Sequence, residues 1–185
     1  MTPSPTIDPK ALQLRAATLA DTTKLEQLVH LAYRAGKATV AWKNEDHLVR
    51  GPRITAPEIE ALTRSKTAKI LLATAGDQTE PIACILVEKH DAEAHIGLLA
   101  VRPDCQNLGL GKRLIEAAEQ QAREGFACTD AKMCVLSGRE ELLGWYKRLG
   151  YAEIGEKSPF PGAEAGLTAT QENAHFIEIG KKLVG

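Results

Sequence analysis

Neither sign of charge dominates this sequence: 23 Lys and Arg stand against 24 Asp and Glu, a formal net charge of -1. A nucleic-acid partner would call for a positive footprint that neutralises phosphates, and none is expected. An acidic disordered segment is excluded by the same balance. No apolar run approaches the roughly 18 residues of a membrane-spanning helix, so no membrane partner is expected. The opening residues (MTPSPTIDPK) lack the basic-then-apolar order of a secretory leader, which points to a cytoplasmic protein. Cys84, Cys105, Cys128 and Cys134 form no Cys-x-x-Cys pair, and His30, His47, His90, His95 and His175 show no ligand spacing beside carboxylates. Reduced, mostly buried thiols and no metal are the expectation. There is no internal repeat and no low-complexity tract.

What is present suits one globular domain. The 185 residues are 44% hydrophobic and 25% charged, enough apolar mass for a core. Residues 1–10 carry three prolines and no periodicity, and are read as a flexible N-terminal arm before a single domain over 11–185. Leu12, Leu14 and Ala16 alternate with Gln13 and Arg15, which predicts a half-buried strand over 11–17. Asp21 is expected to cap a helix that runs to Gly36, with Leu25, Leu28, Val29, Leu31 and Ala32 at helical spacing. A polar, irregular stretch over 37–54 precedes a short helix from Pro57 to about Thr63. Strands are expected at 69–75, 81–88 and 94–101, the last two as a hairpin. Beyond Pro103 come a helix over 110–124, a strand over 131–136, a helix over 140–149 stopped by Gly150, a strand over 151–154, a loop over 158–173 and a last strand over 175–183. Neighbouring strands interrupted by single helices predict an α/β sheet of mixed direction.

The segment LLAVRPDCQNLGLGKRLIEAA, residues 98–118, carries the most chemistry. A strand enters a loop, Gln106-Asn107-Leu108-Gly109-Leu110-Gly111-Lys112, and an amphipathic helix begins inside it. The first N–H groups of a helix lack intrahelical acceptors and sit at the positive end of its dipole, a natural anion site. Glycine lets a backbone approach a phosphate closely and adopt positive φ. A nucleotide P-loop does not fit, because Gln106 stands where its first glycine belongs and Arg113 replaces the hydroxyl that binds magnesium. A dinucleotide fingerprint does not fit either, since Leu114 takes the place of its third glycine and the turn follows a hairpin. By itself the turn could equally bind nothing.

A second segment lies some thirty residues on: Trp145-Tyr146-Lys147-Arg148-Leu149-Gly150-Tyr151. Together, Gln-x-x-Gly-x-Gly at 106, 109 and 111 and this aromatic-Tyr-x-x-Leu-Gly-aromatic run resemble the two landmarks of the Gcn5-related N-acetyltransferases. The resemblance spans roughly residues 12–183. It implies a mixed, mostly antiparallel central sheet of six to seven strands flanked by about four helices and splayed at the fourth strand, here 94–101. It also implies acetyl-CoA as co-substrate, with no metal.

Carried over residue by residue, the resemblance implies that the Leu99 N–H faces the thioester carbonyl, within the cofactor-binding strand end Leu99, Ala100 and Val101. Val101 pairs with the pantetheine amide like an added strand. Gln106, Asn107, Leu108, Gly109, Leu110, Gly111 and Lys112 cradle the pyrophosphate. Tyr146 matches the tyrosine that protonates the departing thiolate; a plain aromatic core residue is the competing reading. Where relatives commonly carry an asparagine that touches the pantetheine arm, this chain has Arg139, suited to a coenzyme phosphate or a substrate carboxylate.

Acyl transfer to an amine needs the amine deprotonated, and a lysine-like amine with a pKa of about 10.4 is only about one part in a thousand neutral at pH 7.4. His95 is the first candidate base: it lies four residues before Leu99 and, by the period of two, on the same side. A polar residue on a hairpin flank is the alternative. Glu45 and Asp46 come next. Trp42, Glu45 and Phe160 are candidate substrate-wall residues, while Trp42 and Arg53 serve equally well as packing and surface charge. Cys84 and Cys134 fall in strands without a histidine partner, so direct attack through a ternary complex is expected. The expected function is acetyl transfer from acetyl-CoA to a primary amine of a small molecule. The alternatives are a non-catalytic acyl-CoA-binding module or an acetyltransferase acting on a protein amine. The family resemblance leaves a homodimer open.

Overall fold

The computed structural model describes residues 12–34, 49–50, 52–76, 78–155, 157–159, 168–169 and 174–183. In chain order the elements are β1 (Leu12–Ala16), α1 (Thr22–Arg34), β2 (Val49–Arg50), α2 (Ala56–Arg64), β3 (Ala68–Ala75), β4 (Pro81–His90), β5 (Glu93–Val101), α3 (Leu110–Gln120), β6 (Asp130–Leu136), α4 (Glu140–Arg148), β7 (Ala152–Glu153), β8 (Ser158–Pro159), β9 (Thr168–Ala169) and β10 (His175–Lys182). The main sheet has the order β1-β3-β4-β5-β6-β10-β7, with β8 paired to β10. Every pairing in it is antiparallel except β5 with β6. It is eight-stranded, wider than the six to seven strands expected, because the two-residue β8 carries no periodic signal. A separate ladder pairs β2 with β9.

Two apolar clusters cover opposite faces of the sheet. On one face Leu25, Leu28 and Val29 of α1 and Ile59 of α2 meet Ile70, Leu72, Cys84, Leu86, Leu98 and Ala100. On the other, Leu114, Ile115 and Ala118 of α3, with Tyr146 and Tyr151, meet Ile85, Val87, Ala94, Ile96, Met133, Val135 and Ile179. Such a two-faced sheet buries both sides of β4, whose first seven residues are all buried, as a near-continuous apolar run requires. Leu31 departs from the expected inner stripe and is exposed. Leu14 is also exposed, because β1 is the sheet's edge and the helical layers do not reach it.

The start of α1 corrects the capping expectation. A single 3-10 turn, Leu19–Asp21, precedes the helix, with Thr18 as its N-cap. The Asp21 carboxylate reaches back to accept from the Thr18 N–H at 2.8 Å and its hydroxyl at 2.9 Å, and takes two bonds from Arg15 at 2.7 Å. The hydrogen bond from Arg15 is the main reason that the Asp21 pKa falls to about 2, against the opposing effect of burial. Its folded-state pKa lies below the unfolded value of about 3.9, so this stabilisation is present above that value and is lost as pH falls through about 2. Asp21→Asn is therefore expected to cost about 2 kcal/mol at neutral pH. Urea unfolding as a function of pH checks this: the variant's stability should change less than the parent's between pH 4 and 2.

Candidate active site

β5 is held by β4 along its length, but by β6 only at its beginning, through Glu93↔Asp130, Ala94↔Ala131 and His95↔Lys132. The Lys132–Glu93 ion pair, at 2.8 Å, ties the closed end. Past that point the two strands part. The cause sits on the other side of β5, where Gly97 pairs with Leu86 and Ala100 with Cys84, leaving Leu98 and Leu99 opposite Ile85 alone. This is a β-bulge, and Leu98 takes the left-handed conformation at φ 51, which costs a residue with a Cβ about 1–2 kcal/mol.

The bulge shifts the alternation of side chains. Ala94 and Ile96 belong to the cluster beneath α3, whereas Leu98 and Ala100 belong to the one beneath α1 and α2. His95 and Leu99 consequently do not share a face, and the period-of-two argument that paired them fails. His95 instead shares a face with Gly97, which lines the cavity described below. Its ring lies 4.4 Å from that of His90. Burial foremost, then the charge of His90, holds the imidazole below its ordinary pKa, with Glu93 and Glu178 opposing and Lys132 assisting.

At the open end of β5, the Arg102 N–H donates to the Ile82 carbonyl at 2.8 Å. That makes Ala83 and Val101 a pair that exchanges no hydrogen bond, so Val101 turns its own N–H and carbonyl toward the gap. The Gln106 amide donates to the Val101 carbonyl at 3.3 Å, holding the turn against the strand end. Ala100 is registered against Cys84 and packed beneath α1 and α2, so it does not face the gap as expected. The Leu99 carbonyl accepts from the Tyr33 hydroxyl of α1 at 2.9 Å.

The turn itself is open to an anion. Asn107 and Gly109 have φ of 65 and 74, with Gly109 capping α3. The first helical hydrogen bond runs from the Arg113 N–H to the Gly109 carbonyl at 3.2 Å. Among the described residues, no main-chain or side-chain acceptor takes the N–H groups of residues 107–112. Trp145 closes over this bend, and a Cβ on Gly111 would stand 3.3 Å from its indole.

Gap and turn open into one cavity of about 330 Å³. Of the expected residues, Leu99, Val101, Gln106, Asn107, Gly109, Leu110, Gly111, Lys112, Arg139 and Tyr146 line it; Ala100, Leu108 and His95 do not. Leu108 packs against the core beneath α3 instead. Trp42, Glu45, Asp46 and Phe160 lie outside the described residues. Tyr146 is buried, 4.9 Å from the Trp145 ring and 6.0 Å from that of Tyr151, as the core reading has it, and it also lines the cavity. Sequence reasoning missed Tyr33, Trp145, Cys134 and Phe176 as lining residues. Tyr33 continues the inner stripe Leu25, Val29 at intervals of four and could have been found; Cys134 and Phe176 become cavity walls only because β5 leaves β6. Cys134 is exposed at the cavity wall, the other three cysteines being buried; partial loss of solvent around its sulfur, and then Glu178, raise its pKa.

Among the described residues there is no group of three or more His, Cys, Asp or Glu able to hold a metal, and no helix is long and apolar enough to cross a membrane.

The profile of the acetyltransferase (GNAT) family matches residues 36–151. No curated protein matches the chain by sequence. Among solved structures, the ribosomal-protein-S18-alanine N-acetyltransferase from Escherichia coli superposes with a TM-score of 0.70 at 15% identity, covering 94% of this chain and 95% of that one. Spermidine N-acetyltransferase from Vibrio cholerae in complex with CoA and spermine gives 0.68 at 13% identity, covering 94% and 96%. An acetyltransferase of the GNAT family from Streptococcus pneumoniae gives 0.66 at 16%, covering 94% and 99%. At such identities the likeness establishes the fold.

Gly109→Ala isolates the bend's conformation, because a Cβ there meets nothing within 4 Å while φ stays at 74. The expected loss is about 1 kcal/mol of stability in urea unfolding, together with several-fold weaker coenzyme A binding by calorimetry. Undiminished affinity would show that the bend does not hold the coenzyme.

Proposed function

This chain belongs to the acetyltransferase (GNAT) family, and from that premise we propose that it moves an acetyl group from acetyl-CoA to the primary amine of a small molecule by direct attack. The observation that carries the reading is the convergence, in one cavity, of a bend with unpaired N–H groups and a strand edge left open by a bulge. These residues fit the coenzyme. N–H groups of residues 107–112 suit a pyrophosphate at the positive end of α3, with Lys112 beside them. The Val101 N–H and carbonyl suit a pantetheine amide, added as a strand would be. Acetyl-CoA supplies the activated acyl group.

Three groups of this chain then divide the chemistry. The Leu99 N–H, turned into the gap beside the bulge, donates to the acyl oxygen as negative charge develops there, a form of stabilisation that acts most strongly in a cavity with little water. The amine nitrogen forms its bond to the acyl carbon while the C–S bond breaks, its electron pair going to sulfur. The Tyr146 hydroxyl gives that sulfur a proton. The proton shed by the amine leaves through water toward His95, whose pKa burial and the charge of His90 hold below the ordinary imidazole value, one pleat from Gly97. Cys134 lines the cavity, but partial loss of solvent around its sulfur and the nearby Glu178 favour the thiol, a poor nucleophile, which supports direct transfer over a covalent route.

Tyr146→Phe is expected to lower kcat by an order of magnitude or more while sparing acetyl-CoA affinity, read by thiol release and calorimetry. Unchanged kcat would remove Tyr146 as the acid. Thiol release independent of any amine would favour a binding module instead. Because the His95 pKa is depressed, kcat/KM should hold down to pH values below the ordinary imidazole range and fall once the ring becomes protonated. His95→Gln should lower kcat/KM and abolish that acid limb; a limb that persists in the variant belongs to another group.

A further inference from the structure

The charge on the cavity wall is one-sided. Among the described residues that line it are Arg53, Lys112 and Arg139, and no Asp or Glu. Lys112 stands in the phosphate bend and Arg139 caps the start of α4, on the α3 and α4 side. Arg53 stands apart from both, just ahead of α2. Its guanidinium lies 5.4 Å from the centre of the Tyr33 ring. The hydroxyl of that same ring donates to the Leu99 carbonyl at the bulge, at 2.9 Å. One aromatic ring and one hydrogen bond therefore separate the Arg53 charge from the strand residue whose N–H meets the acyl group.

Arg53 also differs from four other arginines. Arg15, Arg64, Arg102 and Arg123 each face a carboxylate within 3.7 Å. Arg53 has only the face of Tyr33 among the described residues. The backbone just after it is anchored. Two residues later Thr55 opens α2 with a capping box, its N–H donating to Glu58 at 2.7 Å. The Ala56 N–H donates to Glu26 of α1 at 2.7 Å. A cation stacked on an aromatic ring at a cavity mouth keeps its N–H fork free for a planar anion.

We propose that the acceptor is an amino acid, a primary amine that also bears a carboxylate, and that Arg53 binds the carboxylate while the amine faces Leu99. The proposal rests on the acetyl-transfer reading above and narrows it. A polyamine would bring a second positive charge to Arg53, which faces no carboxylate among the described residues. A carboxylate-bearing amine brings the matching sign and shape.

The test compares matched acceptors in a thiol-release assay: the standard amino acids and β-alanine against the same amines without the carboxylate, with spermidine alongside. At least one amino acid should exceed its decarboxylated partner at least tenfold in kcat/KM. Arg53→Gln should collapse that ratio toward one through the amino acid's KM, and Arg53→Lys should restore part of it. Calorimetry with acetyl-CoA on each variant verifies that the fold and the coenzyme site persist. Turnover of spermidine or the decarboxylated amines in preference to every amino acid overturns the proposal and leaves the acetyl-transfer reading standing, as does a ratio that survives Arg53→Gln. Failure of the parent protein to bind acetyl-CoA overturns both.

Discussion

One surplus residue in the middle of β5 constrains most of what this molecule can do. With Leu98 and Leu99 set against Ile85 alone, the strand bends away from β6, and main-chain groups that would otherwise complete a sheet are left facing an open space. An ordinary sheet has no interior site for a ligand, since neighbouring strands satisfy each other's donors and acceptors. The bulge makes such a site without exposing the core, because the side chains of Leu98 and Ala100 remain buried beneath α1 and α2. Its strained backbone at Leu98, φ 51, is held by tight packing on both sides, which is where strain tends to survive in a fold.

The other parts of the site are arranged around that separation. The Lys132–Glu93 pair limits how far it travels toward the hairpin. The Tyr33 hydroxyl fixes the Leu99 carbonyl from the α1 side, and α1 is in turn anchored at its start by Arg15, Thr18 and Asp21. On the opposite side, Trp145 closes over Gly111, joining the start of α3 to α4 and to the buried Tyr146. The Tyr33 and Trp145 contacts tie helices of the two layers to opposite walls of the cleft. Arg53, Lys112 and Arg139 line the cleft, with no Asp or Glu among its described lining residues.

Much of this is legible in the chain itself. Helix and strand periodicities gave nearly every long element within a few residues, since amphipathic spacing is a local property of the chain. The glycine bend was legible for the same reason: positive φ at Gly109 and a helix starting behind it are local demands. Two readings went astray for a common reason. The shared face of His95 and Leu99 and the burial of Leu14 rested on periodicity alone, which assumes an uninterrupted, fully covered sheet. A bulge with leucine rather than glycine at its left-handed position leaves no mark in a sequence, and an edge strand looks like a half-buried one.

The order of elements, the glycine bend before α3 and the Trp145–Tyr146 helix can be read from the chain alone, because they follow from neighbours within a few turns. Where β5 leaves β6, which side of the sheet His95 occupies and the stacking of Arg53 on Tyr33 emerge only in the folded molecule. Those depend on hydrogen-bond register between strands and on packing across about 40 to 70 residues of chain, as from Tyr33 to Leu99. Residue spacing cannot encode register, because a shift of one residue leaves the sequence untouched and turns every side chain to the opposite face.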